Sequence, residues 1–327
     1  MQRFSLSSLA ASLLAIPLAL ASPASAQDYP SRTVTIIVPF APGGPTDALA
    51  RQIAAYFQKK LGRTVVVENV SGAGSTIGTT RVARAEPDGH TLLVHNLAIS
   101  ANPSLYPKLA FDPEKNLTPV SFVNFQPLLL GARKDLPPKN LTELSGWLKS
   151  NVGRFGTPGS GSTGHLASAL LAQAVGAKID LVAYRGGAPA LQDVVAGHID
   201  FFFGTPQQLL EPIKGGLIKA YGVCAPEPLA ELPDVPSFVK VYGPKLEILF
   251  WHGLFAPAGT PKPVIDKINT ALQAFMEEPE ILNGWREIGV APFAKERRGP
   301  EAGKAFMRSE VERWGQVIRD NKITPQN

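Results

Sequence analysis

The sequence predicts an α/β fold in which mostly parallel sheets are flanked by helices. Short apolar, strand-like runs alternate along the chain with segments of helical periodicity, the pattern of strands joined by helices. Three glycine-rich loops, Pro39–Asp47, Ser71–Gly78 and Gly156–Gly164, each leave a predicted strand and open a predicted helix. At 327 residues the chain exceeds the usual size of one hydrophobic core, so we also expect two domains.

The first helix follows the first glycine-rich loop. Leu49, Ile53, Phe57 and Leu61 recur every four positions and form one apolar stripe, and Gly62 is expected to end the helix. The other elements are apolar runs bounded by turn residues. The predicted strands are Val34–Val38, Thr64–Glu68, Thr91–His95, Pro127–Ala132, Leu181–Tyr184, Ile199–Phe203, Lys219–Cys224 and Leu249–Pro257. The other predicted helices are Ser75–Ala85, Asn140–Ser150, His165–Val175, Ala190–Ala196, Pro206–Lys214, Pro261–Met276 and Pro300–Arg319.

The first 26 residues have the pattern of an export signal. Met1–Arg3 is a short basic segment, Leu9–Leu20 is apolar, and Ala24–Ala26 fits the A-x-A cleavage pattern. We therefore expect cleavage after Ala26 and export of the remaining chain as a soluble protein.

The composition excludes some classes of function. The formal net charge is only +5 and the chain has no dense run of basic residues, so a nucleic-acid partner is not expected. Cys224 is the only cysteine, which rules out an intramolecular disulfide, and its apolar surroundings predict a buried, inert thiol.

The three glycine-rich loops favour a pocket for a small anion. The first turn of a helix has unpaired N–H groups and a partial positive charge. Glycine lets a ligand approach the backbone, and Ser or Thr adds hydroxyl donors. The alternative is that turns from strand to helix require Gly and Ser for structural reasons alone.

Several catalytic and cofactor motifs do not fit. Gly159–Gly164 reads G-x-G-x-x-G, but the strand before it is weak and Asp180 lies at the wrong end of the next strand for a dinucleotide site. The chain has neither a G-x-S-x-G nucleophile elbow nor a Walker lysine. The five histidines lack metal-ligand spacing, so we expect neither a metal nor a cofactor.

Three side chains near these loops have two interpretations each. His165 either packs in the first turn of its helix or contacts a ligand. Asp47 either complements the helix dipole and pairs with Arg51, or meets a ligand amine or hydroxyl. Arg185 either clamps a carboxylate or is a solvated surface residue.

The chain resembles the Bug proteins, the periplasmic receptors of tripartite tricarboxylate transporters, over essentially its whole mature length. The motifs that carry the resemblance are Ile36–Arg51, Val66–Gly78, Pro87–Leu93, Asn102–Tyr106, Gly164–Leu166, Tyr184–Ala190 and Gly253–Pro261. The resemblance implies a two-lobed periplasmic binding protein of the Venus-flytrap type. Residues 27–124 and 225–327 are expected to form one lobe, and 125–224 the other.

The resemblance also implies the ligand and the site. Family ligands are small carboxylates, with some amides, and the carboxylate is held by N–H groups and hydroxyls of the first and third loops. The candidate ligand-binding residues are Phe40, Ala41, Gly43, Gly44, Thr46, Asp47, Ser75, Thr76, Ser160, Ser162, Thr163, His165, Tyr184, Arg185, Gly186, Phe203 and Thr205. The family often has Lys where Arg185 stands. Phe203 either packs within its strand or faces the cleft, where it would favour a flat ligand.

The predicted function is therefore a receptor without catalytic activity. It would be a monomer that captures a small carboxylate in the periplasm and delivers it to integral-membrane transport subunits. Two alternatives remain open at this point: an exported hydrolase acting on a carboxylate ester, and a ligand sensor for a membrane signalling partner.

Overall fold

A computed structural model describes residues 29–325, so the predicted signal peptide at 1–26 lies outside the described residues. The first half contains β1 (Val34–Val38), α1 (Pro45–Leu61), β2 (Val65–Asn69), α2 (Thr76–Ala83), β3 (Thr91–Asn96), α3 (Ala98–Leu105), β4 (Leu117–Pro127), β5 (Leu129–Arg133), α4 (Leu141–Ser150) and β6 (Gly153–Thr157). The second half contains α5 (Thr163–Val175), β7 (Ile179–Ala183), α6 (Gly187–Val195), β8 (Phe201–Gly204), α7 (Pro206–Lys214), β9 (Ile218–Val223), α8 (Phe238–Tyr242), β10 (Leu249–Pro257), α9 (Lys262–Glu277), α10 (Pro279–Glu287), β11 (Ala291–Pro292) and α11 (Pro300–Asp320).

These elements form two sheets flanked by helices, which confirms the α/β, two-lobed fold class. The first sheet has the order β11-β4-β10-β3-β1-β2, and the second has the order β7-β6-β8-β5-β9. The pairs of β1 with β2 and β3, and of β6 with β7 and β8, are parallel.

The sheets are mixed rather than mostly parallel, which corrects one detail of the prediction. Strands β4, β10, β5 and β9 pair antiparallel with their neighbours. Strand β5 follows β4 after the single residue Leu128 and belongs to the other sheet. A helix joins consecutive parallel strands, but no helix is needed where the chain passes straight from one sheet to the next.

The chain passes between the two sheets twice. The first passage is at Leu128, and the return runs through residues 224–248, which include α8. The lobe limits expected near residues 124 and 225 stay predictions.

Helix α1 forms as its sequence pattern predicts. Pro45 stands in its first turn, where its missing N–H costs nothing, and Leu49, Ile53 and Phe57 are buried. Gly62 adopts a left-handed conformation with φ of 70°, and its N–H bonds to the Gln58 carbonyl. The first glycine-rich loop therefore lies between the carboxyl end of β1 and the start of this helix.

The prediction missed elements that lack a clear period. Helix α3 has six buried residues out of eight and a proline at position 103, so it has no clear amphipathic pattern. The segment Pro127–Ala132 was predicted as one strand, whereas β4 ends at Pro127 and β5 begins at Leu129.

Across residues 29–325, no helix is both long and apolar enough to cross a membrane.

Candidate functional site

A cavity lies between the two sheets and is lined by residues from both. Its volume is about 40 Å³, and since a water needs about 10–15 Å³ on this measure, it has room for roughly three waters. The lining residues are Phe40, Gly44, Pro45, Thr46, Asp47, Asn96, Leu128, Pro158, Ser162, Thr163, Gly164, Gly187, Phe202, Phe203, Gly204, Thr205, Gln208 and Phe250.

Four helices begin at this cavity. Gly44 is the N-cap of α1, Ser162 of α5 and Thr205 of α7, and Gly187 is the first residue of α6. Helix N-termini present unpaired N–H groups and a partial positive charge. None of the described lining residues is Lys, Arg or His. Within the described lining, only helix ends and neutral donors are therefore available to stabilise an anion, and the one carboxylate there, Asp47, is paired with Arg51.

The structure brings part of the predicted site together. The predicted residues that line the cavity are Phe40, Gly44, Thr46, Asp47, Ser162, Thr163, Phe203 and Thr205. Those outside the lining are Ala41, Gly43, Ser75, Thr76, Ser160, His165, Tyr184, Arg185 and Gly186. For every residue in both groups, ligand contact stays a prediction.

Asp47 is buried and fully engaged by its neighbours. Its carboxylate accepts two hydrogen bonds from Arg51, each at 3.0 Å, one from the Gly43 N–H at 3.0 Å and one from Asn69 at 2.9 Å. Burial alone would raise the pKa of the Asp47 carboxyl, but these hydrogen bonds and the Arg51 charge bring it below its ordinary value. The structural interpretation, pairing with Arg51, accounts for this side chain.

The hydroxyl of Thr46 is bound into a buried network. His252 Nδ1 donates to Asn124 Oδ1 at 2.8 Å, so Nε2 of the neutral ring accepts from the Thr46 hydroxyl at 3.2 Å. Burial, with a smaller effect of a neighbouring histidine, lowers the pKa of His252 to about 3. Asn96 Nδ2 donates to the same Thr46 oxygen at 3.0 Å. Thr46 can thus donate to an anion only through its backbone N–H.

The second glycine-rich loop supports the site from outside. Ser75 Oγ lies 3.1 Å from His95 Nε2 and accepts from Asn102 Nδ2 at 3.3 Å. Thr76 Oγ1 donates to the Ala73 carbonyl at 2.8 Å. Both side chains therefore hold the loop in place.

The third glycine-rich loop is fixed at the start of α5. The Ser162 hydroxyl accepts from the His165 N–H at 3.3 Å and caps the helix. His165 Nδ1 accepts from the Gly161 N–H at 3.0 Å, and burial lowers the pKa of His165 to about 4. The imidazole is neutral and packs within the loop, in agreement with its structural interpretation.

Three buried side-chain atoms of the lining have no hydrogen-bond partner among the described residues. They are Thr163 Oγ1, Thr205 Oγ1 and Gln208 Nε2. Gln208 Oε1 accepts from the Thr205 N–H at 3.4 Å, which orients the amide so that Nε2 lies against Gly187. A buried donor without a partner costs about 1–3 kcal/mol, and a bound ligand that accepts from it would recover that energy.

Arg185 lies outside the cavity and its side chain is exposed. Its carbonyl accepts from the Ala41 N–H at 2.9 Å, which links the first loop to the other lobe. The neighbouring Tyr184 donates to Asp193 at 2.6 Å, and burial, together with Asp193, raises the pKa of Tyr184 to about 12. The Ala41–Arg185 hydrogen bond therefore joins the two sides of the cleft, whereas the Tyr184–Asp193 hydrogen bond holds Tyr184 against α6.

Aromatic and apolar side chains form the rest of the lining. Phe203 borders the cavity and also stacks on Phe155, with ring centroids 6.4 Å apart, so it serves both the core and the cleft. Leu128 is the residue between β4 and β5, and Phe250 lies at the start of β10, directly after the return passage. The sequence analysis missed the following lining residues: Pro45, Asn96, Leu128, Pro158, Gly164, Gly187, Phe202, Gly204, Gln208 and Phe250. For Gly164 and Gly187 the signal was present, since they belong to glycine-rich turns at helix starts.

A cavity closed between two α/β lobes and ringed by helix starts defines a solute-binding protein. Residues 49–323 match the model of the tripartite tricarboxylate transporter family receptor, TctC. The chain therefore belongs to the TctC family of periplasmic solute receptors.

Solved structures agree with this assignment. The periplasmic binding protein BugD is 36% identical, with a TM-score of 0.87, and the match covers 91% of this chain and 100% of that one. MatC from Rhodopseudomonas palustris, solved with bound malate, is 36% identical with a TM-score of 0.83 over 89% of this chain and 100% of that one. Rpa4515 from R. palustris, solved with adipate, is 30% identical with a TM-score of 0.85 over 91% and 100%.

These proteins are solute-binding proteins, and the chain is likewise a receptor and not an enzyme. The hydrolase alternative is set aside on this ground.

Proposed function

We propose that this receptor captures a small carboxylate, or a related amide, in the cleft and delivers it to the membrane subunits of a tripartite tricarboxylate transporter. The proposal includes a cleft between one lobe of residues 27–124 and 225–327 and a second lobe of 125–224. We also propose that the receptor is a monomer and that it is exported with cleavage of the signal peptide after Ala26.

The observation that carries the proposal is the set of unsatisfied donors at converging helix starts. Gln208 Nε2 and Thr163 Oγ1 are buried without a partner, and four helices begin around them. Carboxylate oxygens accept several hydrogen bonds, and a helix N-terminus stabilises negative charge. With no cationic side chain in the described lining, one carboxylate can be bound by neutral donors alone.

The bound ligands of two relatives support the same class. MatC was solved with malate and Rpa4515 with adipate, and both are carboxylates of small size. The lining of this chain includes Phe40, Phe202, Phe203 and Phe250, so the apolar body of a ligand would contact aromatic side chains.

A thermal-shift panel tests the proposal directly. The panel contains malate, adipate, benzoate, nicotinamide and an uncharged sugar as a control. A ligand at about 100 times its Kd stabilises the folded chain by about 2.7 kcal/mol, which raises the Tm by several degrees. At least one carboxylate or amide should produce this shift, whereas the sugar should not. A panel without any shift would contradict the proposal.

The ligand-sensor alternative shares the same cleft and is separated by a transport experiment. Uptake of the labelled ligand is measured in cells with and without the gene for this chain. Loss of uptake supports delivery to transport subunits, whereas unchanged uptake with an altered transcriptional response would favour a sensor.

A further inference from the structure

The second and third glycine-rich loops meet at one side of the cavity. The Tyr106 hydroxyl donates to the Ser160 carbonyl at 2.9 Å, although the two residues are far apart in sequence. Tyr106 follows α3, beside the first sheet, and Ser160 lies between β6 and α5, beside the second. The hydrogen bond therefore joins the two sides of the cleft, and neither residue lines the cavity.

Gly74 makes this contact possible. It has φ of 59° and ψ of 38°, a left-handed conformation that favours glycine. A Cβ at this position would lie 2.0 Å from the Ser160 carbonyl oxygen and 2.1 Å from the Tyr106 hydroxyl oxygen. The backbones of the two loops are thus too close for even a methyl group.

The same contact fixes donors of the candidate site. Ser160 stands two residues before Ser162, which caps α5, and three before Thr163, a lining residue whose buried hydroxyl has no partner among the described residues. A displacement of the Ser160 carbonyl would move the start of α5 and both hydroxyls.

We propose that Tyr106 and Gly74 are positioning residues that hold the lobes closed over a bound solute. This inference rests on the proposed receptor function. The contact forms only when the lobes are together, so it stabilises the closed form and slows solute release. It has no direct contact with the solute and leaves encounter with the open form unchanged.

The test uses the full exported chain with two variants and a matched control. Tyr106→Phe removes the hydroxyl and keeps the ring. Gly74→Ala adds the methyl that the closed form cannot accept. Gly62→Ala is the control, because Gly62 also has a left-handed φ of 70° but has no atom within 4 Å of an added Cβ.

The first measurement is the dissociation rate of malate and adipate by stopped-flow fluorescence. Loss of one hydrogen bond should make dissociation from Tyr106→Phe about fivefold faster, with association within about twofold of wild type. A dissociation rate equal to that of wild type, or a change confined to association, would overturn the inference.

The second measurement is small-angle scattering, with and without these two solutes. In the condition where wild type is most compact, Gly74→Ala should have a larger radius of gyration than both wild type and Gly62→Ala. Equal radii in both conditions would overturn the inference. If neither solute binds wild type, the proposed ligand class fails, while ligand-free scattering still decides the role of this contact.

Discussion

At the scale of single residues, Asp47 lines the cavity while its carboxylate is already hydrogen-bonded by neighbouring residues. The sequence placed it in the first turn of a helix, four residues before Arg51. That spacing offered the ion pair as one of two interpretations of this side chain. The additional hydrogen bond from Gly43 is local, whereas the one from Asn69 depends on the pairing of β1 with β2, which no local pattern shows.

Replacing Asp47 with Asn should destabilise the chain at neutral pH and have less effect in acid. The pKa of the folded carboxyl lies below its ordinary value of 3.8, so its contribution to stability is complete above that value. The contribution is lost as the pH falls through the folded pKa. In thermal unfolding between about pH 7 and about pH 3, the Tm of the variant should therefore lie below that of wild type by an amount that shrinks toward low pH.

The matched control for this experiment is Asp234→Asn, at an exposed position. It removes the same charge and should leave the acid profile close to that of wild type. If the Tm of Asp47→Asn stayed below that of wild type by the same amount across the pH range, the ionised Asp47 carboxylate would not be the source of the stability.

At the scale of elements, the strongly periodic helices were predictable and the buried ones were not. Helix α1 has a stripe, a proline start and a glycine end, and it forms within the expected limits. Six of the eight residues of helix α3 are buried, so it has no extended polar face that would have revealed it. Tertiary packing, rather than local preference, makes α3 a helix.

The start of α5 provides a prediction at this scale, because adjacent hydroxyls have different roles. Ser162 caps the helix, so Ser162→Ala should cost about 1 kcal/mol of folding stability. Thr163 Oγ1 has no partner in the described structure, so Thr163→Val should leave the stability of the ligand-free chain unchanged or higher. A hydrogen bond to a carboxylate is worth about 1.5–3 kcal/mol, so the same variant should bind at least about tenfold more weakly.

Calorimetry on both variants checks this division of roles. Unfolding scans give the stability of the ligand-free chains, and titration with a carboxylate identified in the panel gives the affinities. If Thr163→Val lost stability and retained full affinity, the third loop would have only a structural role.

At the scale of the whole molecule, the sequence located the loops but not their meeting point. Glycine, serine and a following apolar run indicate where a helix begins, so the lining by the first and third loops could be anticipated. Leu128 and Phe250 reach the cavity because the chain changes sheets beside them. Gln208 reaches it because the start of α7 lies opposite the start of α1, a consequence of topology rather than of any motif.

The convergence of helix starts also explains why the chain needs no cationic side chain at the site. Parallel strands β1, β6 and β8 lead into α1, α5 and α7, and ligands of α/β sheets bind beyond the carboxyl ends of such strands. The two sheets bring these ends together across one cleft. The proposed anion preference would thus be a property of the fold and not of one residue.

The most direct test of a carboxylate bound by neutral donors is a titration of two matched variants, Gln208→Glu and Gln207→Glu. Both place a carboxylate in the first turn of α7, where it suits the helix dipole, but Gln208 lines the cavity and Gln207 is exposed outside it. Two carboxylates about 4 Å apart repel by about 4 kcal/mol at an effective dielectric constant of about 20. We therefore predict that Gln208→Glu binds the panel carboxylate at least about tenfold more weakly than wild type, while Gln207→Glu stays within about twofold. Equal affinities of the two variants, measured by calorimetry at neutral pH, would contradict a carboxylate site in this cleft.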